Sequence, residues 1–508
     1  MTRLPTISGD FSNWGTLLNA FLGVAHNADG SLKSYINPKD STYGATGDGV
    51  TDDTVALQAA LTAAAGKAFL WPAGVYLITA SLLYPGNTKI LGAGATDGGT
   101  IIRVKTGTAL TTPVLCSAEW YNSSATSGNP VEISDLQIDG NSATSGANAH
   151  GFVAMNFWSS FDNIAINHVA GDGFQLSAHS RNGTHVSNTC VEAKIRRIQV
   201  RSSGVNGIYI KDSGSGLNSC TDGFLEDCIV QNAGAVGMQI DMAPGWLVQG
   251  NHVYGTVLDG IYVAKCYATR VMGNYIDGYG SGSSTFIAGI GMSVLDGRGS
   301  SCIGNHVGFE GGTATGPYRA FAIKGAGSAP AVCIVQGNTV IGGSQSGSVA
   351  YHLSTAVSQQ GSLWSVYFHD NDSSAVATRL SEDSFVTGGD LITIGHIGSE
   401  SQNAPTAAAG ANAGTSPPAP VKTGCTDISG KITFGTGTGP AAGAQVVTTF
   451  NAAYANAPKV VLTPINSASA ALNFHVATTT TTFTVSCVNA PAASQANTVY
   501  GFFYHVLI

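Results

Sequence analysis

A drifting repeat runs through the middle of the chain and limits the folds open to it. One strand-like unit reads DLQIDG from Asp135, NIAINH from Asn163, RIQVRS from Arg197 and DCIVQN from Asp227. It continues as NHVYG from Asn251, NYIDG from Asn274, NHVGF from Asn305 and NTVIG from Asn338, in steps of 23 to 34 residues. A second unit follows in four of these: GFQL at Gly173, GIYI at Gly207, GMQI at Gly237 and GIYV at Gly260. GMSV at Gly291 comes after an insertion, and AFAI at Ala320 and AYHL at Ala350 are weaker copies. A unit this short cannot bury its apolar side alone, but stacked on its neighbours it builds a continuous core. The unequal steps imply loops of unequal length at one corner, the usual place for function in a repetitive scaffold.

Side-chain parity within the second unit is plain. Ile208 and Ile210 face one way and Tyr209 the other. Extended to the other copies, this gives an outward column of Gln175, Tyr209, Gln239, Tyr262 and Ser293. Amides and aromatic rings on a flat sheet suit sugar rings.

Composition agrees with many short strands. Only 10% of residues are charged, 66 are glycine and 43% are hydrophobic, which fits neither a helix-rich nor a disordered chain. The net charge of −8 and the lack of a basic cluster exclude a nucleic-acid groove. The densest basic stretch, KIRRIQVR at 194–201, reads as a strand with its charges outward. Nine cysteines, an odd number with no C-x-x-C pair, argue against a zinc site or a disulfide framework and fit folding in a reducing cytoplasm. No run of about 18 apolar residues offers a membrane span, and the first residues lack the apolar core of a signal peptide.

Near the start, YGATGDGVTDDTVALQAAL from Tyr43 lacks the lysine of a phosphate loop and the closing glutamate of a calcium loop. It reads as a helix start, with Thr51, Asp52 and Asp53 supplying oxygens to free backbone N–H groups. Next comes AFLWPAGVYLITASLLYPGNTKILGAG, from Ala68 to Gly94. This helix, WPAGVY strand and LGAG turn resemble the N-terminal part of pectate-lyase-like proteins, over about residues 35–104. The resemblance implies a short helix plugging the first coil of a right-handed parallel β-helix.

The expected fold class is therefore all-β: a right-handed, single-stranded parallel β-helix with a short N-terminal capping helix and a C-terminal β-sandwich. The expected divisions are 1–35, 36–400 (the β-helix), an Ala/Gly/Pro linker at 401–424, and a β-sandwich at 425–508. The first segment, with WGTLLNAFLGVAHNADG, resembles the attachment segments of phage fibre proteins. The last resembles C-terminal domains that trimerise phage fibres or bind glycans.

Taken whole, the chain resembles a phage tailspike. That resemblance implies a homotrimer attached to a tail or baseplate protein through residues 1–35. It would be assembled in the host cytoplasm, carried on the virion, and would act at the host cell surface on a bacterial surface polysaccharide. Many such proteins depolymerise the polysaccharide and some only bind it, so a non-catalytic receptor-binding or structural fibre is the alternative. A free-living pectate lyase fits less well, given the fibre-like ends.

Glycoside hydrolysis needs two carboxylates about 5–5.5 Å or 6.5–9.5 Å apart, and adjacent coils place equivalent residues ~4.8 Å apart. The expected catalytic acids are Asp212 and Asp241 on adjacent coils, then Asp296, with Asp259 and Glu226 in reserve. Tyr209, Gln239, Tyr262 and Lys211 are the expected substrate-binding residues. Were the reaction an elimination, Lys211, Lys265 or Lys324 would be the candidate base. Asp172, Asp259 and Asp296 each precede glycine and are equally plausible turn residues. His252 and His306 read as turn or ladder residues; no metal and no cofactor are expected.

Overall fold

The structure, a computed structural model, describes residues 35–508 except 213–218, 282–286, 309–317, 326–330, 343–347, 355–363, 375–377, 383–389, 393–403, 452, 455 and 508. Of the first 34 residues only a few positions are described, so the expected attachment segment lies outside the described residues. The chain divides into two units, Met1–Thr393 and Ile394–Ile508.

The first unit is a parallel β-solenoid of about ten turns. Eleven strands, from Leu82–Tyr84 through Phe174–Ser177, Ile208–Lys211, Met238–Ile240 and Ile261–Cys266 to Thr378–Glu382, stack in chain order as one parallel sheet. A 22-stranded sheet forms the remaining wall. In its middle coils it takes two strands from each turn: Phe224–Glu226 pairs with Leu247–Gln249, and Ile229–Ala233 pairs with His252–Tyr254. Alternation sets the interior. Ile208, Ile210, Ile240 and Val263 are fully buried, while Tyr209, Gln239 and Tyr262 between them are partly exposed. Each fully buried Ile or Val contributes roughly 1.5–3 kcal/mol, repeated on every coil.

The bend between the two strands of each turn explains the asparagines of the repeat. Gly250, Gly273, Gly304 and Gly337 turn the chain at φ of 68°, 64°, 63° and 62°, a region glycine enters without a Cβ clash. The asparagine after each points into the core. The amide of Asn251 donates to Asn274 Oδ1 at 2.9 Å, Asn274 to Asn305 at 2.9 Å, Asn305 to Asn338 at 3.0 Å and Asn338 to Asn371 at 2.9 Å. Each amide also donates to a backbone carbonyl of the preceding coil, such as Val248 O for Asn274. These buried polar groups are thereby satisfied, as burial demands. Outside the same strands His252 stacks on Tyr275 with ring centroids 4.7 Å apart, and His306 meets Tyr275 at a tilt with centroids 5.2 Å apart.

The N-terminal helix is Thr54–Ala63, and Leu57, Ala60 and Leu61 join the solenoid core. Its capping differs from expectation. Only Asp52 reaches the helix start, accepting from Thr54 N–H at 3.0 Å. Asp53 turns away and is buried, accepting from Thr46 N–H at 2.7 Å and Gly47 N–H at 3.0 Å. Its side chain secures the loop before the helix rather than the helix itself.

The second unit holds two four-stranded antiparallel sheets that resemble a sandwich. The last strand, Tyr500–Leu507, lies between Ser429–Phe434 and Lys459–Pro464. Tyr500, Phe502, Tyr504 and Val506 face the core, whereas Phe503 is 51% exposed. Thr406–Ala409 and Val421–Thr423, inside the segment expected to be a linker, are edge strands of these sheets. Small residues fit an edge strand as well as a linker, and composition alone does not separate the two.

Candidate functional site

Parallel pairing aligns Ala154, Leu176, Ile210, Ile240 and Val263 in one inward column of the eleven-stranded sheet. Beside it runs the outward column Val153, Gln175, Tyr209, Gln239, Tyr262 and Gly291. Four of the five expected members are there. Ser293 is not: it pairs with Lys324, two residues further along. The slip is an even number of residues, so it preserves the face while changing the neighbour.

The polar residues gather where these strands end. Lys211 and Asp241 each directly follow the inward column, so they stand level on adjacent coils. Tyr209 donates its hydroxyl to Asp241 Oδ2 at 2.6 Å, and Gln239 Nε2 donates to Oδ1 at 3.0 Å. Asp241 thus sits on the outer side of the sheet with both oxygens oriented by the expected sugar-binding residues.

Asp212 does not match it. It lies one residue further from the column than Asp241, and a one-residue offset reverses the face. It is fully buried. Its Oδ2 accepts from Ser219 N–H at 2.6 Å and Cys220 N–H at 2.9 Å, and its Oδ1 lies 2.9 Å from His185 Nε2. The two aspartates therefore do not form an outward pair of equivalent acids.

The neighbours of Asp212 were not singled out from sequence. His179, three residues past Leu176, and His185 meet as the facing residues of a small loop, with ring centroids 4.8 Å apart and edge to face. His185 Nδ1 lies 2.8 Å from the Val186 carbonyl and Nε2 faces Asp212, so the ring is oriented at both nitrogens. His179 Nδ1 is buried with no hydrogen-bond partner. Burial, then His185 and Lys211, holds the His179 imidazole below its ordinary range of protonation. Both histidines lie on an insertion, where the repeat gives no register; the signal available was AHS followed by THV directly after a strand.

This loop packs against another. Arg181 N–H donates to Trp120 O at 3.0 Å and Ser187 N–H to Ala125 O at 2.8 Å. The second loop carries Glu119, whose carboxyl burial raises, with Oε2 unpartnered and buried. Gln175 Oε1 is likewise buried without a partner. Three buried polar atoms without a hydrogen-bond partner, on Glu119, Gln175 and His179, thus lie at this end of the sheet.

The remaining candidates lie apart. Asp259 precedes its strand, at the opposite edge of the sheet; it accepts from Ala288 N–H at 2.6 Å, and burial raises its carboxyl. Asp296 follows a strand two coils beyond Asp241, and the Arg298 guanidinium holds it below the usual carboxylate range. Glu226 pairs with Arg196 on the 22-stranded sheet. The Tyr262 ring overlies Gly291, where a Cβ would come within 2.9 Å of it, and Lys324 Nζ lies 5.6 Å from its centroid. Lys265 is exposed at a bulge, with φ of 49°. Among the described residues no group of three or more His, Cys, Asp or Glu side chains is arranged to share a metal ion. The nine cysteines are all free and buried. A shallow groove of about 470 Å³, bordered by Ser142, His168, Ser203 and Asn232, lies at the opposite corner, away from these side chains.

Residues 36–283 match the family described as Rhamnogalacturonase A/epimerase, pectate lyase-like. The chain is 26% identical over 235 residues to the pre-neck appendage protein of Bacillus phage B103, covering 46% of this chain and 23% of the relative. It is 41% identical over 80 residues to Depolymerase 1, capsule K30/K69-specific, of Klebsiella phage K5-2, covering 16% of this chain and 10% of the relative. It thus spans less than a quarter of either relative. The tailspike protein of Pseudomonas phage LKA1 superimposes with a TM-score of 0.48 at 13% identity, over 93% of this chain and 99% of that one. The match at residues 36–283 and the stacked parallel coils identify that stretch as a pectate-lyase-like domain, similar in sequence to phage appendage proteins.

Proposed function

We propose that this protein is a phage virion appendage that binds a bacterial surface polysaccharide along the eleven-stranded sheet and cleaves it at the strand ends. The observation that carries the reading is the convergence of His179, Lys211, Tyr209 and Asp241 at one edge of that sheet. The phage relatives, one of them named a capsule depolymerase, support the biological setting.

The side chains favour elimination over hydrolysis. Hydrolysis asks for two carboxylates on either side of the bond, and Asp212 is buried with its oxygens occupied. An elimination asks for a neutral base, a cation beside the uronate carboxylate and a proton donor for the leaving oxygen. His179, kept unprotonated by burial and by His185, takes the proton from the carbon bearing the carboxylate. Lys211 pairs with that carboxylate. The electrons of the broken C–H bond form a carbon–carbon double bond as the glycosidic C–O bond breaks. Tyr209 swings its hydroxyl hydrogen from Asp241 Oδ2 to the departing oxygen and protonates it. Asp212 acts through His185 and is a positioning residue in this scheme, as Gln239 is for Asp241.

The test incubates purified protein with capsular polysaccharides from a bacterial panel. Ultraviolet-absorbing unsaturated ends should appear, and His179→Ala should slow their appearance by about 10²- to 10⁴-fold. New reducing ends without that absorbance would replace elimination by hydrolysis. Binding without either product would leave the non-catalytic fibre. That second reading draws on the exposed apolar face of the last sheet, where Phe503 and Val461 are 51% and 52% exposed. A homotrimer formed there, and attachment through residues 1–35, complete the proposal; sedimentation equilibrium of the full chain tests the first.

A further inference from the structure

The helix Thr54–Ala63 has two contrasting faces. Leu57, Ala60 and Leu61 close the first coil. The opposite side carries Val55, Ala59 and Thr62, one turn apart and all exposed. The helix contains no charged residue, whereas a helix face that meets water normally carries charged or polar groups. Its polar side chains are already engaged. Thr62 donates its hydroxyl to Gln58 O at 2.8 Å, and the Gln58 amide bonds both backbone groups of Leu83. Just before the helix, Asp48 fixes the main chain at Val50: its Oδ1 accepts from Val50 N–H at 2.8 Å and Thr51 N–H at 2.7 Å. Val55 and Val50, 83% and 75% exposed, are the most exposed large apolar side chains among the described residues.

The same chain supplies a matching stripe. Trp14, Leu17, Leu18, Phe21 and Leu22 fall at helical spacing, and no Lys, Arg, Asp or Glu lies between Asp10 and Asp29. Leu22 is itself 42% exposed. The point of entry is close. Tyr35–Ile36 pairs with Ala68–Leu70, the strand that follows the helix, and the helix packs against Tyr35–Ile36. The 34 residues before Tyr35 therefore join the solenoid beside the helix. The 13 residues from Leu22 to Tyr35 reach up to ~43 Å when extended, against a helix about 15 Å long, so the tether spans its whole outer face.

We infer that the apolar stripe of residues 14–22 docks on the outer face of the helix Thr54–Ala63, against Val50 and Val55 of its own chain. The contact withdraws two uncharged apolar stripes from water, and the short tether keeps its entropic cost low. Because neither stripe carries charge, salt leaves the contact intact. The segment proposed for virion attachment is thereby seated on the first coil. This inference does not depend on reading His179, Lys211 and Asp241 as a catalytic row.

The test is limited proteolysis of the full chain with chymotrypsin, which cuts after large apolar residues, with cuts at residues 14–22 followed by mass spectrometry. The wild type should be cut there at least about 10-fold more slowly than a synthetic peptide of residues 1–34. Val55→Lys should raise the rate by about 10-fold, toward that of the peptide. Lysine suits a helix better than valine, so this variant keeps the helix while charging its outer face. Val55→Ile should retain the slow rate. Wild-type protein cut as fast as the peptide would overturn the docking. Slow cutting that Val55→Lys leaves unchanged would also overturn it, because the segment is then covered elsewhere. Protection lost on dilution would do the same, by placing the segment on a second copy. The readout needs no polysaccharide, so it stands or falls apart from the catalytic row.

Discussion

The asparagine ladder and the catalytic row are built by the same operation, yet they differ in what they leave undone. Both place residues 20 to 40 positions apart in sequence side by side on adjacent coils. In the ladder every position holds the same residue, and each amide is consumed by the next amide and by a carbonyl. In the row Ser177, Lys211 and Asp241 stand level, His179 enters from the loop just after Ser177, and His179 Nδ1, Gln175 Oε1 and Glu119 Oε2 nearby are buried and unpartnered. Repetition with satisfied hydrogen bonds stabilises the stack; variation leaves unsatisfied polar groups, a cost that marks a candidate functional site.

The contrast can be broken most sharply by single substitutions. His179→Ala should lower the rate of polysaccharide cleavage by about 10²- to 10⁴-fold, while the thermal midpoint stays near that of the wild type. A calorimetric scan beside a rate assay checks both halves. Asn305→Ala should do the reverse. It removes an amide that bridges two neighbours and leaves buried partners unpaired, at a cost of about 3 kcal/mol. Denaturant unfolding should show that loss, with kcat unchanged under conditions where the variant is folded.

Acidity sharpens the comparison further. Burial, then His185 and Lys211, hold the folded His179 below its ordinary value of 6.5. As pH falls through that ordinary value, the unfolded chain takes up a proton that the folded chain resists, so stability declines. Cleavage should persist below pH 6.5 and fall only once His179 itself is protonated. An initial-rate profile from about pH 4 to 8 should place the acid limb below the ordinary histidine value. Ladder substitutions should leave that limb where it is.

The smallest effect is expected at Asp259. Burial raises its carboxyl, so its contribution to stability is present below the ordinary value of 3.8 and is lost as pH rises through the raised one. Asp259→Asn keeps an oxygen for the Ala288 N–H and removes the charge. It should leave cleavage intact and raise stability at neutral pH, read by denaturant unfolding.

Much of the scaffold was legible because period and parity are properties of the string. GIYI and GMQI already fixed which side chains share the interior, and the outward column through Tyr209, Gln239 and Tyr262 followed. What failed did so at insertions and offsets. Ser293 slipped by two positions because the segment before Gly291 is longer. Asp212 and Asp241 looked equivalent, yet IYIKD holds one more residue than MQID after the shared column. His179 and His185 lie on an insertion after Ala178, where the repeat gives no register, so no repeat announced them. The strands at 406–409 and 421–423 were hidden by a composition that edge strands and linkers share.

The central claim, that sugar is bound and cut where the strands of the eleven-stranded sheet end, is open to one direct measurement. A crystal structure of the His179→Ala variant soaked with a polysaccharide fragment that the wild type cleaves should show a sugar carboxylate beside Lys211 and the scissile oxygen within hydrogen-bond reach of Tyr209. Sugar density confined to the 22-stranded sheet, or to the C-terminal unit with the Tyr209–Asp241 pair untouched, would contradict it.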